Sequence, residues 1–403
     1  MIIEGSNNSA KVFATIIEDE AINQIKELCN QEFVKDSIIR IMSDVHAGKG
    51  CTVGFTITVK DYICPNLIGV DIGCGMLAIQ LGKQDIDLSQ LDDVIRKYVP
   101  YGRNVHEGKL VNFEQMQHLK CYRDLKDTKR LERSIGTLGS GNHFIEIDVD
   151  DNENKYLIIH TGSRNLGYQV ASHYQDLAIG LCSGKDKMHE EIETIITEYK
   201  AAGKKSEISN ILKDIKKRYQ NTFPFLPKDL CYLSGKYKDD YLNDMQICQN
   251  FATENRNFIS EIILNHLHLE PISSFETIHN YINFEDNILR KGAISAHKNQ
   301  QLLIPINMRD GCILGTGKGN ADWNYSAPHG AGRLMSRTKA KEILAMADFQ
   351  NSMTGIYTTS VCNDTLDEAP MAYKPIENII ENIKDTVDIQ MILKPIYNFK
   401  ASE

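Results

Sequence analysis

A chain of 403 residues, 42% hydrophobic and 25% charged, has enough apolar material to fill a core, either as one large domain or as a few ordinary ones. No apolar run approaches the length that spans a bilayer, and the start Met1-Ile2-Ile3-Glu4 lacks the basic and apolar stretches of a secretory signal; a cytoplasmic protein without a membrane partner is expected. A net charge of -9 argues against nonspecific coating of nucleic acid, while leaving room for a local basic groove.

In chain order, Thr52-Val53-Gly54-Phe55-Thr56-Ile57-Thr58-Val59 reads as a strand. A second strand-like run, Leu67 to Val70, leads into Asp71-Ile72-Gly73-Cys74-Gly75, where the glycines let a tight turn bring a carboxylate and a thiol to one point. Oxygen suits hard ions and thiolate softer ones, so a divalent transition ion such as manganese or zinc could accept both; a turn with a buried cysteine explains the motif equally well. Lys120 to Arg133 is a basic run, read first as a solvated helix face. Gly136 to Glu146 (G-T-L-G-S-G-N-H-F-I-E) has the wrong glycine spacing for a dinucleotide fingerprint. Its His143 can bind metal or be structural, and Asn142 and Glu146 can hydrogen-bond a nucleotide.

The strand Tyr156 to Ile159 runs into His160-Thr161-Gly162-Ser163-Arg164, an order that suits a metal ligand beside a phosphate clamp. From 186 to 219, Ile192, Ile195, Ile196 and Tyr199, then Ile208, Ile211, Leu212 and Ile215, fall at helical spacing around Ala201-Ala202-Gly203, predicting a charged helical hairpin. A third helix is expected from about Asp244 to His266, with His266 and His268 structural at its end. His279, in Glu276-Thr277-Ile278-His279-Asn280, is weak evidence alone. Leu302-Leu303-Ile304 reads as a buried strand.

His329-Gly330-Ala331-Gly332-Arg333 precedes a helix that Ser336 can cap. Small residues before a helix start expose backbone N–H groups to phosphate and leave room for a phosphoryl group to approach His329. That histidine could be a nucleophile, a general acid or a phosphate-binding group. The ten cysteines include no C-x-x-C pair, so most are expected to be reduced and buried. No linker divides the glycine-rich motifs, which favours one composite site in a single mixed α/β domain over 1–403.

Taken together, D-V-H-A-G-K-G (Asp44 to Gly50), G-V-D-I-G-C-G-M (Gly69 to Met76), G-T-L-G-S-G-N-H-F-I-E, H-T-G-S-R, H-N-Y, R-K-G-A (Arg290 to Ala293) and H-G-A-G-R-L-M-S-R-T-K-A-K resemble the RtcB family of RNA-splicing ligases. They stand in the family's order over about residues 40 to 375. The resemblance implies the family's own mixed α/β fold around a centre of two Mn2+ ions, with GTP as cofactor. The implied activity joins RNA 3'-phosphate or 2',3'-cyclic phosphate ends to 5'-hydroxyl ends, in RNA repair or tRNA splicing, with scope for an activating protein.

By motif, His329 would carry GMP; Asp71, Cys74 and His143 would hold one metal, and Cys74 would bridge to a second held by His160 and His279. Asn142, Phe144, Glu146, Asn307, Gly330, Ala331, Gly332 and Lys400 would contact the nucleotide, and Arg164 and Arg333 would bind phosphates, most simply those of RNA. The chain departs from the family at Pro305-Ile306-Asn307-Met308-Arg309, where Arg309 bears on nucleotide choice, and at Ala327-Pro328. It therefore resembles a divergent member. Two rivals are a metal-dependent cyclic phosphoesterase that does not ligate and a catalytically altered RNA-binding relative.

Overall fold

A computed structural model describes residues 1–201, 203–204, 207–222 and 226–401. Two sheets organise the chain. The six-stranded sheet runs, in spatial order, Ile2–Glu4, Ser9–Val12, Ile39–His46, Val53–Thr58, Ile288–Lys291 and Asn280–Asn283. The seven-stranded sheet runs Ser273–Ile278, Gly75–Gly82, Lys155–Thr161, Phe144–Val149, Val387–Lys400, Gly311–Gly317 and Gln301–Asn307, antiparallel throughout. Alternating side chains give this second sheet two apolar faces. Leu77, Ile79, Ile145, Ile147, Leu157 and Ile159 belong to one core cluster, which also holds helix residues Leu91, Ile95, Ile259 and Ile263. Met76, Ala78, Phe144 and Ile158 pack instead with Leu303, Leu314 and Leu393 from the far strands of the same sheet. With its helices packed on these sheets, the molecule is a single mixed α/β domain.

The helix Gly235–Leu267 links the sheet to the larger core. Its buried positions Tyr241, Met245, Cys248, Ala252, Ile259 and Ile263 recur at three- and four-residue steps. It begins nine residues before the expected Asp244, because the polar first turns carry no apolar period to announce them. Helices Lys185–Ala201 and Ile208–Thr222 occupy the stretch expected to form the charged hairpin and pack on each other, with Arg218 paired to Glu191. Ala202, in the turn expected between them, lies outside the described residues. Among the described residues no helix is long and apolar enough to cross a membrane.

Leu67 to Val70 is not a strand. A short 3-10 turn, Pro65–Leu67, comes first, and the strand starts after the motif, at Gly75. Pro65 cannot donate to a ladder, and Leu67 and Ile68 are apolar because they are buried in the core, not because they pair. Antiparallel pairing then sets the site. Cys74 precedes one strand, His143 precedes another, His279 follows a third, and His160 is the next-to-last residue of a fourth. The register sets Met76 and Phe144 opposite His160, and Gly75 opposite Ile278. Four segments distant in sequence thus deliver their ligands at one end of the sheet.

Candidate active site

Cys74 is common to two groups of potential metal ligands, Asp71–Cys74–His143 and Cys74–His160–His279, each with its donor atoms within 4.8 Å of one another. Cys74 Sγ lies 3.5 Å from His143 Nε2 and 3.4 Å from His160 Nε2, and His160 Nε2 lies 3.4 Å from His279 Nε2. The tautomers follow from the other ring nitrogens. His143 Nδ1 faces the Leu138 carbonyl at 2.8 Å and His160 Nδ1 the Asn142 carbonyl at 3.1 Å, so each Nδ1 carries the proton and donates. His160 Nε2 thus turns a lone pair to the thiol, while His143 Nε2 stands between the thiol and Asp71 Oδ2 (3.1 Å), bonding that carboxylate when it carries a proton. Among the described residues, buried Asp71 Oδ1 has no hydrogen-bond partner.

Burial pushes His160 and His279 well below the ordinary imidazole range, so neither supplies a cation of its own. Burial, then the Asp71 charge, pushes the Cys74 thiol up. Burial also raises Asp71, but the His143 hydrogen bond, with the His143 and Arg164 charges, outweighs it and the net shift is downward. Imidazole, thiol and carboxylate donors converging on one point, with Arg164 behind them as the adjoining fixed cation, fit one or two borderline divalent ions.

The sequence reading missed what holds these loops. Arg256, fully buried on the long helix, donates from Nη1 to the carbonyls of Gly73 (2.9 Å) and Thr161 (2.8 Å), and from Nε to Glu276 (2.7 Å). Those acceptors flank Cys74, His160 and His279. Its neighbour Asn255 accepts from Gly136 N–H (2.8 Å) and Thr137 N–H (3.0 Å) and donates to Gly162 O (3.1 Å). Both fall on the buried stripe of this helix, three and four residues after Ala252 and just before Ile259, so the helical period was the signal that could have found them.

His329 stands beside this cluster, its ring centroid 4.9 Å from that of His279. Its backbone N–H (3.1 Å) and its Nδ1 (2.6 Å) both reach Oδ2 of buried Asp44. Nδ1 is thus the protonated nitrogen and Nε2 keeps its lone pair. Asp44 lies in the D-V-H-A-G-K-G motif, yet no role was assigned to it, since its contact spans 285 residues. Gly332, at φ +73°, packs so closely on Asp44 that an added Cβ would lie 3.1 Å from its Cα and carbonyl oxygen, so this glycine lets the His329 loop close on the carboxylate.

A cavity of about 200 Å³ opens in front of His329. Asn142, Phe144, Glu146, His160, His279, Asn307, Gly330, Ala331, Gly332, Arg333 and Lys400, all expected from sequence, line it. His46, Glu368, Tyr373 and Asn398 line it without having been singled out, alongside Ile306 and Met308 from the divergent segment and Arg337 from the basic stretch that includes Arg333. Arg309 is not among the lining residues: it folds back on Asp310 through two 2.8 Å bonds. Arg164 is also off the wall, half-buried behind the cluster with Nε 3.3 Å from Thr137 Oγ1. Arg333 reaches the cavity, but its guanidinium bonds to Glu368, Tyr373 and the Asp367 carbonyl. Lys400 pairs with Glu368, whose carboxyl is held down at about 2: burial raises it, but Lys400 and Arg337 more than offset this.

Glu146 and Asp148, alternate residues of one strand, face the interior with Cys312. Burial pushes Glu146 well up and Asp148 to about 6, the Asp148 charge adding to the rise at Glu146. Asn398 donates to Glu146, while both Asp148 oxygens are buried without a hydrogen-bond partner. One proton held by the pair accounts for two buried carboxyls side by side, since the Lys400 charge that reaches Glu146 is already paired with Glu368.

A family model described as "tRNA-splicing ligase RtcB" matches residues 24–127 and 122–401. The RNA-splicing ligase RtcB of Escherichia coli (strain K12) is 30% identical over 426 aligned residues, covering 96% of this chain and 95% of the relative. The tRNA-splicing ligase RtcB of Pyrobaculum aerophilum is 25% identical, with 85% and 82% covered. RNA-splicing ligase RtcB homolog 1 of Entamoeba dispar is 23% identical, with 99% and 88% covered.

Proposed function

This chain belongs to the RtcB family of RNA-splicing ligases, and from that membership we propose that it joins RNA 3'-phosphate or 2',3'-cyclic phosphate ends to 5'-hydroxyl ends, using GTP and two Mn2+ ions. The observation that carries this reading is the Asp44–His329 pair: an imidazole with Nδ1 fixed on a buried carboxylate and Nε2 free, beside a ligand cluster and an open cavity.

Asp71, Cys74 and His143 would hold one ion, and Cys74, His160 and His279 the other. The ions would supply Lewis-acid stabilisation of the charge that gathers on phosphate oxygens. His329 Nε2 attacks the α-phosphorus of GTP; the N–P bond forms as the bond to the β-phosphate oxygen breaks, and pyrophosphate leaves. Asp44 supports the positive charge that grows on the ring and holds it in the attacking tautomer. GMP then passes from His329 to the RNA 3'-phosphate, and the 5'-hydroxyl displaces it as the phosphodiester forms. Backbone groups of Gly330, Ala331 and Gly332 leave space beside His329, and Asn142, Phe144, Glu146, Asn307 and Lys400 form the nucleotide wall. Arg164 acts through the cluster it backs, and Arg337 at the cavity rim joins Arg333 in facing RNA phosphates.

The test is incubation with manganese and α-labelled GTP or ATP. An acid-labile, alkali-stable label that needs GTP and is lost in His329→Ala, with metal content unchanged, is expected. An adduct that persists in His329→Ala removes this residue as the nucleophile. No label from a metal-loaded protein that still opens cyclic ends would mean a phosphoesterase instead.

A further inference from the structure

At the base of the helical pair, the chain returning from Ile208–Thr222 is fastened to the body by short polar contacts. Cys64 Sγ donates to Asp229 O (3.3 Å), Asn66 Nδ2 reaches the same carbonyl (3.2 Å), and Gln175 Nε2 donates to Lys228 O (2.8 Å). Two thiols meet inside this seam. Cys182 is the last residue of the helix Arg164–Cys182, just before the pair begins, and Cys231 lies on the returning segment just after it. Cys182 Sγ sits on the backbone of Tyr232, the residue next to Cys231, accepting its N–H at 3.4 Å and facing its carbonyl at 3.5 Å, while the Cys231 thiol donates to the Pro227 carbonyl at 3.7 Å.

These contacts separate Cys182 from the other cysteines. It is half-buried, whereas eight of the ten are buried. Burial raises Cys29 and Cys64 to about 12, while Cys182 is held down at about 7, first by the neighbouring Cys231 thiol and, against some burial, by the Tyr232 N–H. A helix C-terminus alone would disfavour a thiolate, so the Tyr232 N–H on Cys182 Sγ and its half-buried position are what set this thiol apart.

We propose that Cys182 and Cys231 are a peroxide-reactive thiol pair that closes into a reversible disulfide across the base of the helical pair, separate from the metal cluster. Cys182 thiolate attacks one oxygen of hydrogen peroxide; the S–O bond forms, the O–O bond breaks, and the departing hydroxide takes a proton to become water. The Cys231 sulfur then attacks the sulfenic sulfur; the S–S bond forms, the S–O bond breaks, and the hydroxide leaves as a second water with the Cys231 proton. Two thiols are oxidised and one peroxide is reduced to two waters. Because the seam already holds both segments, closure asks for no rearrangement of the sheets.

The experiment uses full-length, manganese-loaded, reduced protein treated with equimolar hydrogen peroxide, quenched with N-ethylmaleimide and mapped without reduction. The expected result is loss of two hydrogens located to a crosslink between the peptides of Cys182 and Cys231, reversed by dithiothreitol and absent from Cys182→Ser. In Cys231→Ser, Cys182 is expected to be trapped as a sulfenic acid that dimedone labels. A second measurement needs no variant: in the wild type, Cys182 is expected to be alkylated fastest of the ten at neutral pH. Oxidation of other cysteines while both of these remain open to N-ethylmaleimide, or an unchanged crosslink in Cys182→Ser, would overturn the proposal.

Discussion

Asp44 shows how much one buried carboxylate can decide. It is 1% exposed and presents Oδ2 to His329 through two hydrogen bonds. Asp44→Asn keeps the shape but can offer an N–H to Nδ1, which favours the tautomer with Nε2 protonated and unable to attack. Adduct formation with GTP is expected to slow by about 10²–10⁴-fold with metal content unchanged, measured as single-turnover labelling. A rate within a factor of about two of wild type would mean that Asp44 only props the loop. Asp148 is a residue-scale case of the opposite kind. Its carboxyl is raised to about 6 by burial, so the folded state binds this proton more tightly than the unfolded state does. The stability this carboxyl contributes is therefore fully present below the ordinary carboxyl range near 4 and is lost as pH rises through about 6. Asp148→Asn removes that loss: urea unfolding is expected to show a gain above pH of about 7 and little gain near pH of about 4. Equal gains at both pH values would trace the effect to packing instead of charge.

At the scale of elements, the strands aim the ligands and the long helix steadies the loops that carry them. Arg256 touches none of the ligand side chains, yet it bonds the backbone beside Cys74 and His160 and the side chain of Glu276, three residues before His279. Arg256→Met leaves those acceptors unpaired, and Mn2+ affinity of the folded metal-free protein is expected to fall by about 10–100-fold. Arg256→Lys, which keeps a charge and a donor, should recover part of it. Calorimetric titration alongside circular dichroism reads this out, and equal affinities in all three proteins would make Arg256 a structural residue only. Some elements were legible from local pattern: Val53–Thr58, Lys155–Thr161, Gln301–Asn307 and Arg337–Ile343 lie where alternation, β-branching or a capping serine put them, whereas strands such as Phe144–Val149, Ser273–Ile278 and Val387–Lys400 were not read from it. Leu67 to Val70 misled because an apolar run reports burial, which a turn can satisfy as well as a strand.

For the whole molecule, antiparallel pairing in the seven-stranded sheet folds segments from residues 142 to 400 onto one cavity, to which His46 is added from the six-stranded sheet. That gathering explains how an acidic chain can present a basic wall: Arg333, Arg337 and Lys400 all converge on Glu368, which offsets part of their charge and fixes their positions. The sequence by itself determined the mixed α/β class and the family, because its glycine-turn motifs stand in the family's order, and through that resemblance it named Asp71, Cys74, His143, His160 and His279, which the structure brings together as a group able to hold metal. Only the tertiary structure decided that Asp44 orients His329, that Arg256 braces the ligand loops, that Arg309 turns away from the cavity, and that Cys182 meets Cys231. Each depends on contacts between residues far apart in sequence, or on the direction a side chain takes, and neither leaves a local pattern. A hydrogen bond is specified by where two atoms come to rest, and that is settled by packing of the whole core.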